Sequence, residues 1–275
     1  MRIPLPGGGA LECGRRTLVM GVLNLTPDSF SDGGAWTDPK AAVRRARDMV
    51  REGADLIDVG GESTRPGARA VSGKEELRRV VPVVERLAAE GIVVSVDTSK
   101  AAVAEAAMRA GAKIVNDVTA LRGDRRMAET VARTGAAVVL MHMKGSPRTM
   151  QKDPRYGDVV GEILGFFEKI QKFAWSAGIR RDKILLDPGI GFGKLPRHNV
   201  EILRRLDEFR GLGRPLVIGT SRKSFIGRAL GRRVDERQFG TAATLTVAVL
   251  RGADVVRVHD VREMSDVVRM SDLLR

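Results

Sequence analysis

Three stretches of the chain gather side chains that packing alone does not call for: Met20–Gly34 (MGVLNLTPDSFSDGG), Gly60–Gly67 (GGESTRPG) and Asp187–Lys194 (DPGIGFGK). In the first, Asn24 ends an apolar run and is followed by Asp28, Phe30 and Asp32. In the second, Gly60 and Gly61 allow close backbone approach. Arg65 of the same stretch is a permanently charged fork suited to phosphate or carboxylate. In the third, glycines surround Asp187 and Phe192. That stretch looks like a phosphate loop but has the spacing of neither nucleotide fingerprint. Other polar groups close other apolar runs: Asp97, Asn116, Met141–His142, Ser221–Lys223, and Arg257 with His259. A single strand-end Asp reads equally well as a cap for the next helix. Several such tips converging on one rim read as a site. The histidines are His142, His198 and His259; the last, at a run's tip, is the functional candidate, and the others are expected to be packed or at a helix start. No Ser–His–Asp or Cys–His pattern calls for a protein nucleophile.

The elements that must position these groups repeat along the chain. Eight apolar runs, beginning at Val19, Leu56, Val93, Ile114, Ala136, Ile184, Leu216 and Val255, each precede a polar tip. Buried parallel strands have this near-continuous apolar character. Helical stretches follow at 38–52, 74–90, 99–110, 124–134, 155–177, 197–210, 235–251 and 261–273. Asp38 before Pro39 predicts an N-cap with proline in the first turn. Glycines at 53, 91, 111, 135, 178, 211 and 252 predict left-handed helix ends. Residues 1–16 read as a short hairpin. A strand–helix unit recurring about every 30 residues would fit a solenoid, but the units share no consensus side chains. An open doubly wound sheet would gather ligand groups at one switch point. Polar tips on every strand instead predict a (β/α)8 TIM barrel, an α/β fold in one domain over 1–275, with its chemistry where the strands end. The long connections Leu25–Trp36 and Ser63–Gly73 are expected to be functional loops.

Composition narrows the class. With Cys13 as the only cysteine, an internal disulfide and a cysteine zinc cluster are excluded. No signal-like or membrane-spanning apolar segment is evident, so a cytoplasmic protein is expected. The formal net charge of +13 could mean nucleic acid. However, the arginines are scattered over every helix and aromatics are few, so a basic solvated surface is the preferred reading.

Read together, these motifs resemble the dihydropteroate synthase family. The resemblance runs from Thr17 to Val261 and rests on the three stretches above, VDTSK at Val96–Lys100, NDV at Asn116–Val118, MHMKGSPRTMQ at Met141–Gln151, SRKSF at Ser221–Phe225 and RVHDV at Arg257–Val261. It implies joining of 4-aminobenzoate to a dihydropterin methyl diphosphate with release of pyrophosphate and use of Mg2+. By that resemblance Asp97, Asn116, Asp187 and Lys223 line the pterin pocket, Arg257 stacks on the ring and Met141 packs beside it. Asn24, Arg65, Arg257 and His259 match anion-binding positions, and Asn24 the protein ligand to magnesium. Phe30, Thr64, Pro66, Phe192 and Ser224 match positions enclosing 4-aminobenzoate, with the Ser224 hydroxyl or the helix start beyond it facing the carboxylate. Asp32 matches a loop carboxylate able to stabilise a cationic pterin. The family also implies a homodimer formed by late barrel helices. One departure is Leu195–Pro196–Arg197, where a polar residue is usual; it is expected to lie outside the pocket. A methyltetrahydrofolate methyltransferase would share the pterin groups but lack the two long loops. A non-catalytic paralogue or a nucleic-acid-binding protein would not need this full set.

Overall fold

The computed structural model of the protein describes residues 1–26, 38–63, 68, 70–146 and 149–275. A hairpin, β1 (Arg2–Pro4) with β2 (Ala10–Glu12), comes first. Its turn is tied by the Leu5 amide donating to the Gly9 carbonyl at 3.1 Å. Eight parallel strands follow: β3 (Leu18–Asn24), β4 (Leu56–Gly60), β5 (Val94–Asp97), β6 (Ile114–Asp117), β7 (Ala137–Met141), β8 (Ile184–Asp187), β9 (Val217–Ile218) and β10 (Val255–Val258). They pair in the order β8-β7-β6-β5-β4-β3-β10-β9. A parallel bridge between Leu186 and Leu216 joins the two ends, so the sheet closes into a barrel as expected.

Around it lie α1 (Pro39–Arg51), α2 (Gly73–Ala89), α3 (Ala101–Arg109), α4 (Met127–Thr134), α5 (Val159–Ser176), α6 (Pro196–Arg204), α7 (Ser224–Leu230), α8 (Gln238–Leu250) and α9 (Val261–Leu273). Asp38 caps α1 as expected, accepting from the Lys40 and Ala41 amides at 3.1 and 3.2 Å. Two details differ from the sequence expectation. The helix expected over 197–210 is α6 followed by a tighter 3-10 segment, Leu206–Leu212, and the left-handed glycine ending it is Gly213 (φ 64°) rather than Gly211. In addition, α7 precedes α8 in the seventh unit, because Gly231 at φ 65° ends the first helix after Leu230. The departure at Leu195–Arg197 is local: Pro196 opens α6, and His198, the expected helix-start histidine, accepts the Leu195 amide at 3.2 Å.

Alternation along each strand sorts the interior into two layers. One set of alternate residues (Val19, Leu23, Ile57, Val59, Val94, Val96, Val115, Val138, Leu140, Ile184, Leu186, Ile218, Val256 and Val258) packs outward on the helices. The other set points inward: Leu18, Met20, Leu56, Ile114, Ala137, Val139, Leu185, Val217 and Val255 fill the lower barrel. The hairpin's Ile3, Leu5, Leu11 and Cys13 join that inner cluster and close the barrel floor. Lys113 and Lys183 fasten it by donating to the Pro6 and Pro4 carbonyls at 2.9 and 2.7 Å. Each fully buried leucine or isoleucine there contributes roughly 1.5–3 kcal/mol. Continuing the inward set upward leads to Asn24, Asp58, Asp97, Asn116, Met141, Asp187 and Arg257, all but Met141 polar. The floor is apolar and the rim carries the chemistry.

Candidate active site

Strand register aligns part of the rim directly. Asn24 pairs with Gly60, Gly60 with Asp97, and Asp97 with Asn116 across four neighbouring strands. Glycine in this row leaves the flanking side chains room to approach: a Cβ at Gly60 would lie 3.6 Å from Asn24 Oδ1 and 3.8 Å from Asp97 Oδ2. On the opposite wall, Met141 pairs with Asp187.

A buried charge network ties these strands together. Arg257 donates through Nε to Asp58 Oδ2 at 2.6 Å and through Nη2 to Asp97 Oδ2 at 2.9 Å. Asn116 Nδ2 donates to the same Asp58 oxygen at 2.9 Å. Burial works against charge on Arg257, but Asp58 and Asp97 outweigh it and raise its pKa. For Asp97 the balance goes the other way: burial, assisted by Asp58, Glu76 and Asp117, outweighs Arg257 and pushes its carboxyl up to about 7. Asp97 does not cap α3, and its Oδ1 is buried without a hydrogen-bond partner among the described residues. A buried, unpaired acceptor is costly and waits for a donor.

Across the mouth, Asp187 Oδ1 accepts from the Gly189 amide at 2.7 Å, and burial raises its pKa against the pull of Lys223. Burial lowers Lys223 to about 8, with Asp187 opposing. Lys223 Nζ donates to the Ile190 carbonyl and stands 4.8 Å from the Phe192 ring centroid. Phe192 packs on Val118, Met141, Met143 and Met150, an apolar shelf beside the carboxylates. The loop carrying Phe192 requires its glycines. Gly189 and Gly193 have φ of 70° and 62°, and a Cβ on them would lie 1.9 Å from the His142 carbonyl and 2.3 Å from that of Lys144. Beside the mouth, His259 Nδ1 lies 3.0 Å from Ser221 Oγ, and Ser224 is exposed at the first turn of α7.

The structure thus brings Asn24, Asp97, Asn116, Met141, Asp187, Phe192, Lys223, Ser224, Arg257 and His259 to the end of one barrel. Phe30, Asp32, Thr64, Arg65 and Pro66 lie outside the described residues. Sequence reasoning missed Asp58, completely buried at the centre of the network. The signal was present: an acid at an inward position of the otherwise apolar LIDVG strand. It also passed over Lys100, whose Nζ donates to Glu62 at 2.6 Å and pairs with buried Glu76 at the base of the Ser63–Gly73 connection. Glu62 in turn accepts the Val71 amide at 2.9 Å.

Among the described residues no group of three or more His, Cys, Asp or Glu could hold a metal ion. Asn24 offers one neutral oxygen. That donor set fits magnesium, which keeps its waters and takes most remaining ligands from substrate phosphates. It does not fit a structural zinc.

A closed barrel with carboxylates, an amide, a lysine and an arginine around one mouth is the arrangement of a small-molecule enzyme. A family model described as "pterin binding enzyme" matches residues 20–259. The dihydropteroate synthase of Synechocystis is 47% identical over 259 residues, covering 93% of this chain and 90% of that one. The structure superposes on Yersinia pestis dihydropteroate synthase in a sulfonamide drug complex with a TM-score of 0.97 at 44% identity, covering 100% of this chain and 99% of that one. The Xanthomonas albilineans enzyme with 4-aminobenzoic acid gives 0.90 at 45% identity, covering 98% of each chain. The chain belongs to the pterin-binding enzyme family and, within it, to the dihydropteroate synthases.

Proposed function

We infer that this chain condenses 6-hydroxymethyl-7,8-dihydropterin diphosphate with 4-aminobenzoate, giving 7,8-dihydropteroate and pyrophosphate in folate biosynthesis. The observation that carries the site assignment is the unpartnered, buried Oδ1 of Asp97, at a strand end on the same barrel rim as Asp187 and Lys223. A pterin's amino-pyrimidinone edge supplies donors for the carboxylates, and its carbonyl and ring nitrogen accept from Lys223. Such a site rejects rings that lack those groups, because its own buried atoms are then left unpaired. Met141 packs apolarly beside the ring. Arg257, held in plane by Asp58 and Asp97, is pre-organised to stack its guanidinium on the pterin.

The reaction displaces diphosphate from the exocyclic methylene. The C–O bond breaks with its electron pair leaving on pyrophosphate, the pterin carries the positive charge, and the 4-aminobenzoate nitrogen then bonds to the methylene and releases a proton to pyrophosphate or water. Asn24, Arg65, Arg257 and His259 receive the growing negative charge. When bound at Asn24, Mg2+ supplies further charge neutralisation on the diphosphate. Asp32 is assigned to the cationic pterin, and Phe30, Thr64, Pro66, Phe192 and Ser224 to 4-aminobenzoate. Because α7 has seven residues, the Ser224 hydroxyl rather than a helix dipole is the group for the carboxylate.

We further propose a homodimer through the late helices. Leu230, Phe239, Val247 and Leu250 form an exposed apolar stripe on α7 and α8, with Phe239 87% accessible. No helix among the described residues is long and apolar enough to cross a membrane. The basic surface includes many arginines already paired with acids, such as Arg78 and Arg79 with Glu75, and Arg205 with Asp158, Glu201 and Glu208. A small-molecule enzyme of the cytoplasm, without a nucleic-acid partner, is the reading this supports. The test is pyrophosphate release: it should require both substrates and magnesium, and calorimetry should show a pterin diphosphate analogue binding more tightly with magnesium present. Turnover without 4-aminobenzoate, or transfer of a methyl group to a corrinoid protein instead, would overturn it.

A further inference from the structure

Lys194 ends the glycine-rich loop after β8, yet its side chain turns inward and is only 3% accessible. Its Nζ lies 3.0 Å from His142 Nδ1, 3.3 Å from the His142 carbonyl and 3.0 Å from the Phe192 carbonyl. Both carbonyls accept from it, and the His142 ring does so in the tautomer that leaves Nδ1 unprotonated; burial pulls the ammonium well below the ordinary lysine pKa, with Asp187 opposing. His142 is suited to its part: burial, then the cations Lys194, Arg122 and Lys144, push its pKa down to about 2, which leaves the ring neutral. The Phe166 ring meets the His142 ring edge-on, with centroids 5.0 Å apart. The backbone is already laid tightly here, as the contacts at Gly189 and Gly193 require. Lys194 therefore joins the segment leaving β7, which carries Met141, to the segment leaving β8, which carries Phe192.

We propose that Lys194 and His142 form a positioning pair that sets the Phe192 wall for 4-aminobenzoate without itself touching substrate. The inference rests on the assignment of Phe192 to that substrate. Three consequences follow from the geometry. The Phe192 carbonyl is held from behind, which fixes the ring that faces Lys223. The pterin carboxylates and Asn116 take their hydrogen bonds from other partners, and Lys194 acts on Asp187 only through its charge. Loss of the pair should therefore separate the two substrates.

The experiment is steady-state kinetics and calorimetry on Lys194→Met, which keeps the stem and removes every donor, with His142→Leu and His142→Asn beside it. For Lys194→Met and His142→Leu the KM for 4-aminobenzoate should rise roughly tenfold or more, the scale of a misplaced binding group. Affinity for the pterin diphosphate analogue should stay within about threefold of wild type. His142→Asn, which still offers an acceptor near the place of Nδ1, should recover most of the loss. If Lys194→Met does not fold, the two His142 variants decide alone. Wild-type kinetics in Lys194→Met and His142→Leu, equal loss of both substrates, or no difference between the two His142 variants would overturn the proposal. An inactive wild-type enzyme would instead overturn the function on which it rests.

Discussion

Arg257 Nη2 and Asp97 Oδ2 meet at 2.9 Å across a separation of 160 residues, one from the last barrel strand and one from the third. The same guanidinium holds Asp58 at 2.6 Å. One cation thus compensates two buried carboxylates, and Asp97 is left with one oxygen for a ligand. This arrangement links the stability of the barrel rim to the chemistry of the pocket.

Asp187→Ala should abolish pterin binding measurable by calorimetry. Removing a charged hydrogen-bond partner costs about 1.5–3 kcal/mol before the loss of the Gly189 contact is added. Wild-type affinity in this variant would place the pterin elsewhere.

Asp58→Ala should destabilise the fold by about 3–5 kcal/mol in urea unfolding, because it leaves part of a buried charge pair uncompensated. Asp58→Asn, which keeps the shape and an oxygen, should cost less. Both should weaken pterin binding through a displaced Arg257. A change within 0.5 kcal/mol, the range of an ordinary surface substitution, would show that the network does not carry that weight.

The pH dependence follows from two displaced groups. Asp97 is raised from 3.8 to about 7, so the native state holds a proton that the unfolded chain releases. Its contribution to stability is present below the unfolded pKa and is lost as pH rises through about 7. Binding of the pterin's donors requires the ionised form, so affinity should rise over the same interval. Lys223, lowered from 10.5 to about 8, loses its charge above that value. A bell-shaped kcat/KM with limbs near 7 and 8 is expected. Asp97→Asn should remove the acid limb; an unchanged profile in that variant would refute the assignment.

Gly189→Ala should be among the most damaging single substitutions in the chain. It combines positive φ with a Cβ placed 1.9 Å from a backbone carbonyl that has no side-chain freedom to move. Gly213→Ala has a similar φ, 64°, but meets nothing within 4 Å. The second variant should cost about 1–2 kcal/mol in urea unfolding, the price of the left-handed backbone alone. The first should cost clearly more, or fail to fold; equal costs would mean the loop can move away from β7.

Much of this was legible without coordinates. Period-two alternation with unbroken apolar runs determines which residues can face the barrel axis, and strand ends determine where Asn24, Asp97, Asn116, Asp187 and Arg257 must lie. Local chemistry likewise settles the Asp38 cap and the helix-ending glycines other than Gly211, because each depends on backbone conformation within a few residues. Asp58 was obscured by the same rule: inside an apolar strand, nothing in its neighbours reveals whether it meets a cation. The 3-10 turn after α6 and the separate α7 were obscured because short helical segments differ little in local preference.

By itself, then, the sequence determined the kind of ring, the order of its staves and the polar groups at their tips, since these follow from side-chain period and backbone propensity. Only the tertiary structure decided that Arg257 serves Asp58 and Asp97 together, that Lys194 turns inward to His142, and that Asp97 keeps an unmatched oxygen. Those facts depend on barrel closure and on the low-dielectric interior it creates, where partners distant along the chain, rather than neighbours in it, set each charge.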